Sequence, residues 1–268
     1  MVLLVGEGTK LSDYILSEDK RYWVRLKFGL RTDTLDRTGQ ILESVLVDLR
    51  EDQIRTAIEQ HIGDFEWPVP SYSAVKVKGR KLYEYAREQT TVVAPVRKMS
   101  FYDLQIVSIG SDTATVEVSC TKGSYIRSWV DHIGQTLGCG AVLDELRRLR
   151  CEPFSVEEAI DLESLQEQKD QTLNDPAALV NARGFLSMAQ SLPQYRSVLI
   201  LKAEQRLLRH GQIAKSLAGR LLPDIRESLT SQRVTYLKAM DENGEFMALL
   251  EVGPQGLKVR RVFGSHAQ

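Results

Sequence analysis

At 268 residues the chain is long for one compact domain and comfortable for two. With 43% hydrophobic and 26% charged residues it has the make-up of a globular protein with a real core, and no run of about 18 apolar residues occurs, so no transmembrane helix is expected. The net charge of -1 gives no overall attraction to polyanions, yet the cations are clustered: Lys76, Lys78, Arg80 and Lys81; Arg147, Arg148 and Arg150; Lys258, Arg260 and Arg261. Any one cluster reads equally well as a solvated face, whereas three together lean towards RNA. The cysteines, Cys120, Cys139 and Cys151, are odd in number and form no C-x-x-C pair, which argues against a disulfide scaffold or zinc site and fits a reduced cytoplasm.

In chain order, Met1 to Val5 is apolar, too short for a signal peptide, and reads as a buried strand. Tyr22, Val24, Leu26 and Phe28 alternate with Arg21, Arg25 and Lys27, which predicts a half-buried strand stopped by Gly29. Another strand is expected around Val45-Leu46-Val47. Ile54, Ala57, Ile58 and Ile62 share a helical face that Gly63 ends. Trp67-Pro-Val-Pro-Ser71 reads as a loop, and a short helix covers Lys81 to Arg87. Strands follow near Met99 to Ile109 and at Thr113 to Cys120, joined by the Gly110-Ser-Asp112 turn. Ile126, Trp129, Val130, Ile133 and Leu137 predict a helix ending at Gly138, and Ser155-Val-Glu-Glu158 resembles a capping box before another. Turn residues rise between Gln166 and Gln194. Beyond them come short strand-like runs at Val198–Leu201, Val234–Ala239, Phe246–Val252 and Leu257–Phe263.

Searches for metal and nucleophile motifs return little. His61, His132, His210 and His266 are scattered without ligand spacing, and Gly6-Glu-Gly-Thr-Lys10 lacks the spacing of a phosphate loop. Composition and periodicity alone support a mixed α+β domain with a small β appendage and basic clusters.

Specific words go further. Gly6-Glu-Gly-Thr-Lys10, Asp19-Lys-Arg-Tyr22, Gly29-Leu-Arg-Thr-Asp-Thr34, Tyr72-Ser-Ala-Val-Lys-Val-Lys-Gly79, Tyr83-Glu-Tyr-Ala-Arg87, Cys120-Thr-Lys-Gly-Ser-Tyr-Ile-Arg127 and Leu146-Arg-Arg-Leu149 occur in this order. Together they resemble the TruB family of tRNA pseudouridine synthases, from about Gly6 to Leu165, and the tail is similar to that family's PUA-like RNA-binding module. The resemblance implies an α+β fold, with a pseudouridine synthase mixed-sheet catalytic domain, N-terminally truncated, over 1–166. A connecting segment at 167–194 and a β-rich PUA-like domain at 195–264 would follow. It implies cofactor-free isomerisation of uridine 55 in the tRNA T loop, in the cytoplasm, with tRNA as partner and neither a membrane nor an obligate protein partner.

The same resemblance gives residues their roles. Tyr22 matches the tyrosine that stacks on the flipped base, Arg127 the arginine that pairs with the catalytic carboxylate, and Tyr125 and Leu146 pocket-lining positions. Taken alone, Tyr22 and Tyr125 would read as half-buried aromatics. Lys10, Lys20, Lys76, Lys122, Arg147 and Arg148 are candidate RNA contacts.

The family's nucleophilic aspartate lies in a block reading roughly Gly-His-Thr-Gly-Thr-Leu-Asp-Pro, which would fall just before Met1, so no residue here matches it. A start assigned too late is the favoured explanation. The chain as given is then expected to be inactive, the alternative being a non-catalytic tRNA-binding or RNA-folding protein. Thr34-Leu35-Asp36 repeats three letters of the block in the wrong surroundings, so Asp36 is expected to be a turn or RNA-contacting residue. A guide-RNA-dependent relative is disfavoured by the short tail and the lack of long basic extensions.

Overall fold

In the computed structural model, which describes residues 1–15, 19–172 and 183–264, the first element is a 3-10 turn at Gly6–Leu11 running into α1 (Ser12–Ile15). Residues 1 to 5 form no strand, contrary to the sequence reading, and the side chains of Met1, Leu3 and Val5 are exposed; among the described residues no strand pairs with them. The chain divides into two units, Met1 with Ser17–Glu157, and Val2–Leu16 with Glu158–Gln268. The N-terminal turn therefore groups with the C-terminal residues, although the family resemblance implied a first domain over 1–166.

The first unit is built on a six-stranded sheet. Its elements are β1 (Lys20–Phe28), β2 (Leu30–Thr32), β3 (Ile41–Ser44), α2 (Glu51–Gln60), β4 (Gly63–Pro68), β5 (Lys76–Val77) and β6 (Arg80–Lys81). After these come α3 (Leu82–Arg87), β7 (Val96–Ile109), β8 (Thr113–Cys120), α4 (Ile126–Thr136), β9 (Ala141–Cys151) and β10 (Phe154–Ser155). The sheet order is β10-β9-β1-β8-β7-β4, with neighbours antiparallel. Alternation in β1 puts Val24, Leu26 and Phe28 into a core shared with Ala114, Val116 and Val118 of β8. Helices α2 and α4 supply Ile54, Ile58, Trp129 and Ile133 to that core, and the Trp129 indole donates to the His61 carbonyl at 2.8 Å.

Three local expectations are corrected. The second strand lies at Ile41–Ser44 rather than Val45–Val47, because β3 pairs with β2 while Val45 donates to the Gly29 carbonyl at 2.9 Å. Trp67 and Pro68 end the edge strand β4 instead of lying in a loop, and an edge strand tolerates proline. Ser155 caps only a turn, through the Glu157 amide; the following helix, α5 (Leu162–Thr172), starts after Asp161, which accepts from the Ser164 amide at 2.7 Å.

The second unit continues with β11 (Arg196–Leu199), α6 (Lys202–Arg209), α7 (Lys215–Arg220), α8 (Leu222–Ser231), β12 (Thr235–Met240), β13 (Phe246–Gly253) and β14 (Gly256–Val262). Its sheet runs β11-β12-β13-β14, with the first pair parallel. The strands fall where alternation placed them, but the interval between them is helical, and Leu208, Leu217 and Leu221 bury against the sheet. The N-terminal turn joins through Tyr14, whose ring meets Tyr236 edge-on at 5.0 Å. Residues 173–182 of the expected connecting segment lie outside the described residues. Among those described, no helix is long and apolar enough to cross a membrane.

On one flank of the first core, Trp67 of β4 stacks on His132 of α4 with centroids 4.0 Å apart. Burial holds the His132 imidazole below its ordinary value, outweighing Asp131, while His61 lowers it further. The folded state thus disfavours the proton. This contribution to stability is complete above the unfolded value near 6.5 and is lost progressively as pH falls from there through the lower folded value. We expect the urea midpoint to drop between pH 7.5 and 5.5 and this drop to shrink in His132→Gln, measured by tryptophan fluorescence.

Candidate functional site

The stretch from Asp33 to Gln40 leaves β2 and is tied off by its own polar groups. Asp33 accepts the Gln40 amide at 2.7 Å. Asp36 accepts at one carboxylate oxygen from the Thr34 hydroxyl (2.8 Å), the Thr38 amide (3.1 Å) and the Thr38 hydroxyl (2.6 Å). Leu35 sits at a φ of +62°, a left-handed conformation that costs a β-carbon-bearing residue about 1–2 kcal/mol. Backbone bonds to β9 sustain it: the Leu143 amide donates to Leu35 (3.1 Å) and the Arg37 amide to Leu143 (3.0 Å). A β-carbon at Gly39 would stand 2.3 Å from the Thr34 hydroxyl and 2.4 Å from Asp33, so only glycine allows this closure.

Arg127 lies in the first turn of α4 and reaches that loop. Its Nη1 donates to the Thr34 carbonyl at 3.0 Å and faces the Asp36 carboxylate at 3.5 Å, while Nη2 donates to the Tyr72 carbonyl at 2.7 Å. Its Nε has no partner among the described residues. The Asp36–Arg127 pair is only about a quarter exposed. Burial alone would raise the Asp36 carboxyl. Hydrogen bonds from Thr38 and Thr34, together with the Arg127 charge, outweigh it and hold the group below the ordinary carboxylate range. Asp36, expected as a turn or RNA-contacting residue, does build a turn; its pairing with Arg127 is the addition that sequence reasoning missed.

Tyr22 stands on β1 opposite Arg148 of β9, whose guanidinium lies 5.5 Å from the ring centre. Burial raises its phenol, against the charge of Arg148. Tyr125 precedes α4, and both tyrosines rest on the same core cluster. Leu146 is 46% exposed on β9, opposite Val24. Strand β9 links the two groups, since Leu143 fastens the Arg127 loop and Leu146 and Arg148 follow on the same strand. Tyr22 therefore keeps company with Arg148 and Leu146, and Arg127 with Asp36, Thr34 and Tyr72.

The cations divide by what already holds them. Arg80 pairs with Glu88 at 2.6 Å, Arg150 with Glu152 at 3.3 Å, Arg260 with Glu251 at 2.6 Å and Lys10 with Glu7 at 2.6 Å. Lys76 and Lys78 project from a hairpin whose Lys78–Gly79 turn has both φ angles positive. Together with Lys122 and Arg147 they are exposed and have no acidic partner among the described residues. Lys20 opens β1 opposite Cys120 and Cys151. In the second unit Lys202, Arg206, Arg209 and His210 line one patch along α6, and among the described residues only Lys202 has an acidic partner, Glu242 at 2.9 Å. The helical spacing of these cations was the signal that could have found them. No group of three metal-ligating side chains occurs among the described residues.

Two solved structures share the fold. The chain superposes on the solved Cbf5-Nop10-Gar1 complex with a TM-score of 0.67 and 20% identity, over 97% of this chain and 71% of that one. It matches the structure of an H/ACA RNP bound to a substrate RNA containing 2'-deoxyuridine at 0.65 and 19%, over 98% and 71%. At such identities the likeness establishes the fold alone. Sequence gives the family. The model of the TruB family pseudouridylate synthase N-terminal domain matches residues 1–126, and that of the tRNA pseudouridylate synthase B C-terminal domain matches 127–182. tRNA pseudouridine synthase B of Bdellovibrio bacteriovorus is 40% identical, over 98% of this chain and 83% of its own length. The Escherichia coli K12 protein of the same name is 34% identical, over 95% and 78%. The chain belongs to the TruB family of pseudouridine synthases, enzymes that isomerise uridine in RNA.

Gly39→Ala should force the Asp33–Gln40 loop open without touching the core. Exchange of the Thr38 and Gln40 amide protons is expected to quicken by about tenfold or more, read by hydrogen-exchange NMR.

Proposed function

We propose that this chain binds the T arm of tRNA and presents uridine 55 for conversion to pseudouridine. In this reading Tyr22 stacks on the flipped base, Tyr125 and Leu146 line its pocket, and Arg127 offers a fork shaped to pair with a catalytic carboxylate. The observation that carries the proposal is the posture of Arg127: two loop carbonyls fix its guanidinium while its Nε edge is uncommitted. A planar fork so held suits a carboxylate, which it can orient through both oxygens. Lys20, Lys76, Lys122, Arg147 and Arg148 would take RNA phosphates in the first unit. Arg206 and Arg209 of α6 would do so in the second, which we read as PUA-like, while Lys10, expected as an RNA contact, is engaged by Glu7.

We further infer that these 268 residues bind without turning over. Asp36, the carboxylate beside Arg127, already accepts three hydrogen bonds from its own turn, which blunts it as a nucleophile.

A T stem-loop RNA should bind the purified chain with an affinity that falls steeply with added KCl. Tyr22→Ala should weaken it by about 1–3 kcal/mol, the value of one stacked base, whereas Arg127→Ala should leave most of the affinity. Salt-insensitive binding would count against the interface. Tritium release from C5-labelled uridine in tRNA would sink the inference about Asp36.

A further inference from the structure

We propose that Asp33 and Tyr72 are positioning residues for Arg127, a role that rests on the reading of Arg127 given above. The Tyr72 phenol donates to the second carboxylate oxygen of Asp33 at 3.0 Å. The backbone carbonyl of the same tyrosine accepts from Arg127 Nη2 at 2.7 Å, and the residue after Asp33, Thr34, accepts from Nη1 at 3.0 Å. The contacts close a ring: guanidinium, Thr34 carbonyl, Asp33 carboxylate, Tyr72 phenol, Tyr72 carbonyl and back to the guanidinium. Opening it at the phenol frees the two carbonyls to move independently, and the plane of the fork goes with them.

The brace is not a by-product of core packing. Tyr72 is only half-buried and lies outside the hydrophobic cluster. Its segment is tied on the far side by the first turn of α3, where the Tyr83 amide donates to Ser73 at 3.1 Å and the Leu82 amide to Val75 at 2.8 Å. The neighbouring Ser73 hydroxyl is buried without a partner. Among the described residues the phenol is thus, beside Arg127 itself, the side-chain tether between this segment and the Asp33–Gln40 loop. Asp33 is itself held by the Gln40 amide, so the anchor is firm. The bond to Asp33 also raises the phenol above its ordinary value and keeps the donor protonated at neutral pH.

The test reads Arg127 directly. In a labelled sample of the full chain, its Nε–H signal is assigned by its loss in Arg127→Lys, and rotation of the guanidinium is measured by NMR. Tyr72→Phe and Asp33→Ala should each speed rotation by about fivefold, the effect of one ordinary hydrogen bond. Tyr85→Phe, whose hydroxyl bonds the Val77 carbonyl outside the ring, should leave it unchanged. A purely structural contribution would lower the urea midpoint without moving this signal. Unchanged rotation in both brace variants overturns the proposal, whatever the RNA does. If a T stem-loop fails to shift the wild-type Arg127 signal while the variants still quicken it, the proposed function fails and the brace stands.

Discussion

Arg127 occupies a position that its own helix disfavours. It sits in the first turn of α4, where the peptide dipoles present positive charge, and no acidic residue shares that turn. A cation there needs acceptors from elsewhere. The structure supplies the Thr34 and Tyr72 carbonyls and the Asp36 carboxylate, from parts of the chain far apart in sequence. The ion pair is long, at 3.5 Å, and the desolvation of its partly buried groups offsets much of its attraction. Its effect is geometric, because a planar guanidinium fixes direction as well as distance. The left-handed Leu35, the close approach at Gly39 and the backbone bonds to Leu143 all serve to bring that loop to the arginine.

A similar logic governs the surface charge. A net charge of -1 conceals two populations of cations. Arg80, Arg150 and Arg260 are engaged by nearby carboxylates, which leaves them less available to a polyanion. Among the described residues Lys76, Lys78, Lys122 and Arg147 are not so engaged, and neither are Arg206 and Arg209 on α6. Clustering in the sequence counted both populations alike. The positions of the acids separate them: Glu152 is a near neighbour of Arg150, whereas Glu88 and Glu251 reach Arg80 and Arg260 from eight and nine residues away.

Much of the candidate site was legible because its residues sit inside ordered words. Tyr22, Tyr125, Arg127 and Leu146 could be named from those words, and the flanks of Asp36 led to the expectation of a turn residue, which it is. The partner of Asp36 could not be named. An ion pair between residues 36 and 127 depends on how β9 packs beside the loop, and no local pattern encodes that. Tyr72 was visible as part of a motif, yet its phenol's partner lies thirty-nine positions earlier in the chain. The helices of the second unit were missed for a different reason. They are short, and Leu208, Leu217 and Leu221 become a buried face only once the sheet beneath them exists.

The sequence by itself determined the alternating strands β1 and β8, the helices α2, α3 and α4, the turn at Gly110–Asp112 and the family. Each is encoded by periodicity or by residues close together in the chain. Only the tertiary structure decided that the N-terminal turn belongs with the C-terminal unit, which cations are already spent, and that Arg127, Asp36, Asp33 and Tyr72 form one assembly. Those outcomes turn on contacts between distant residues, where side-chain reach and strand register set the result.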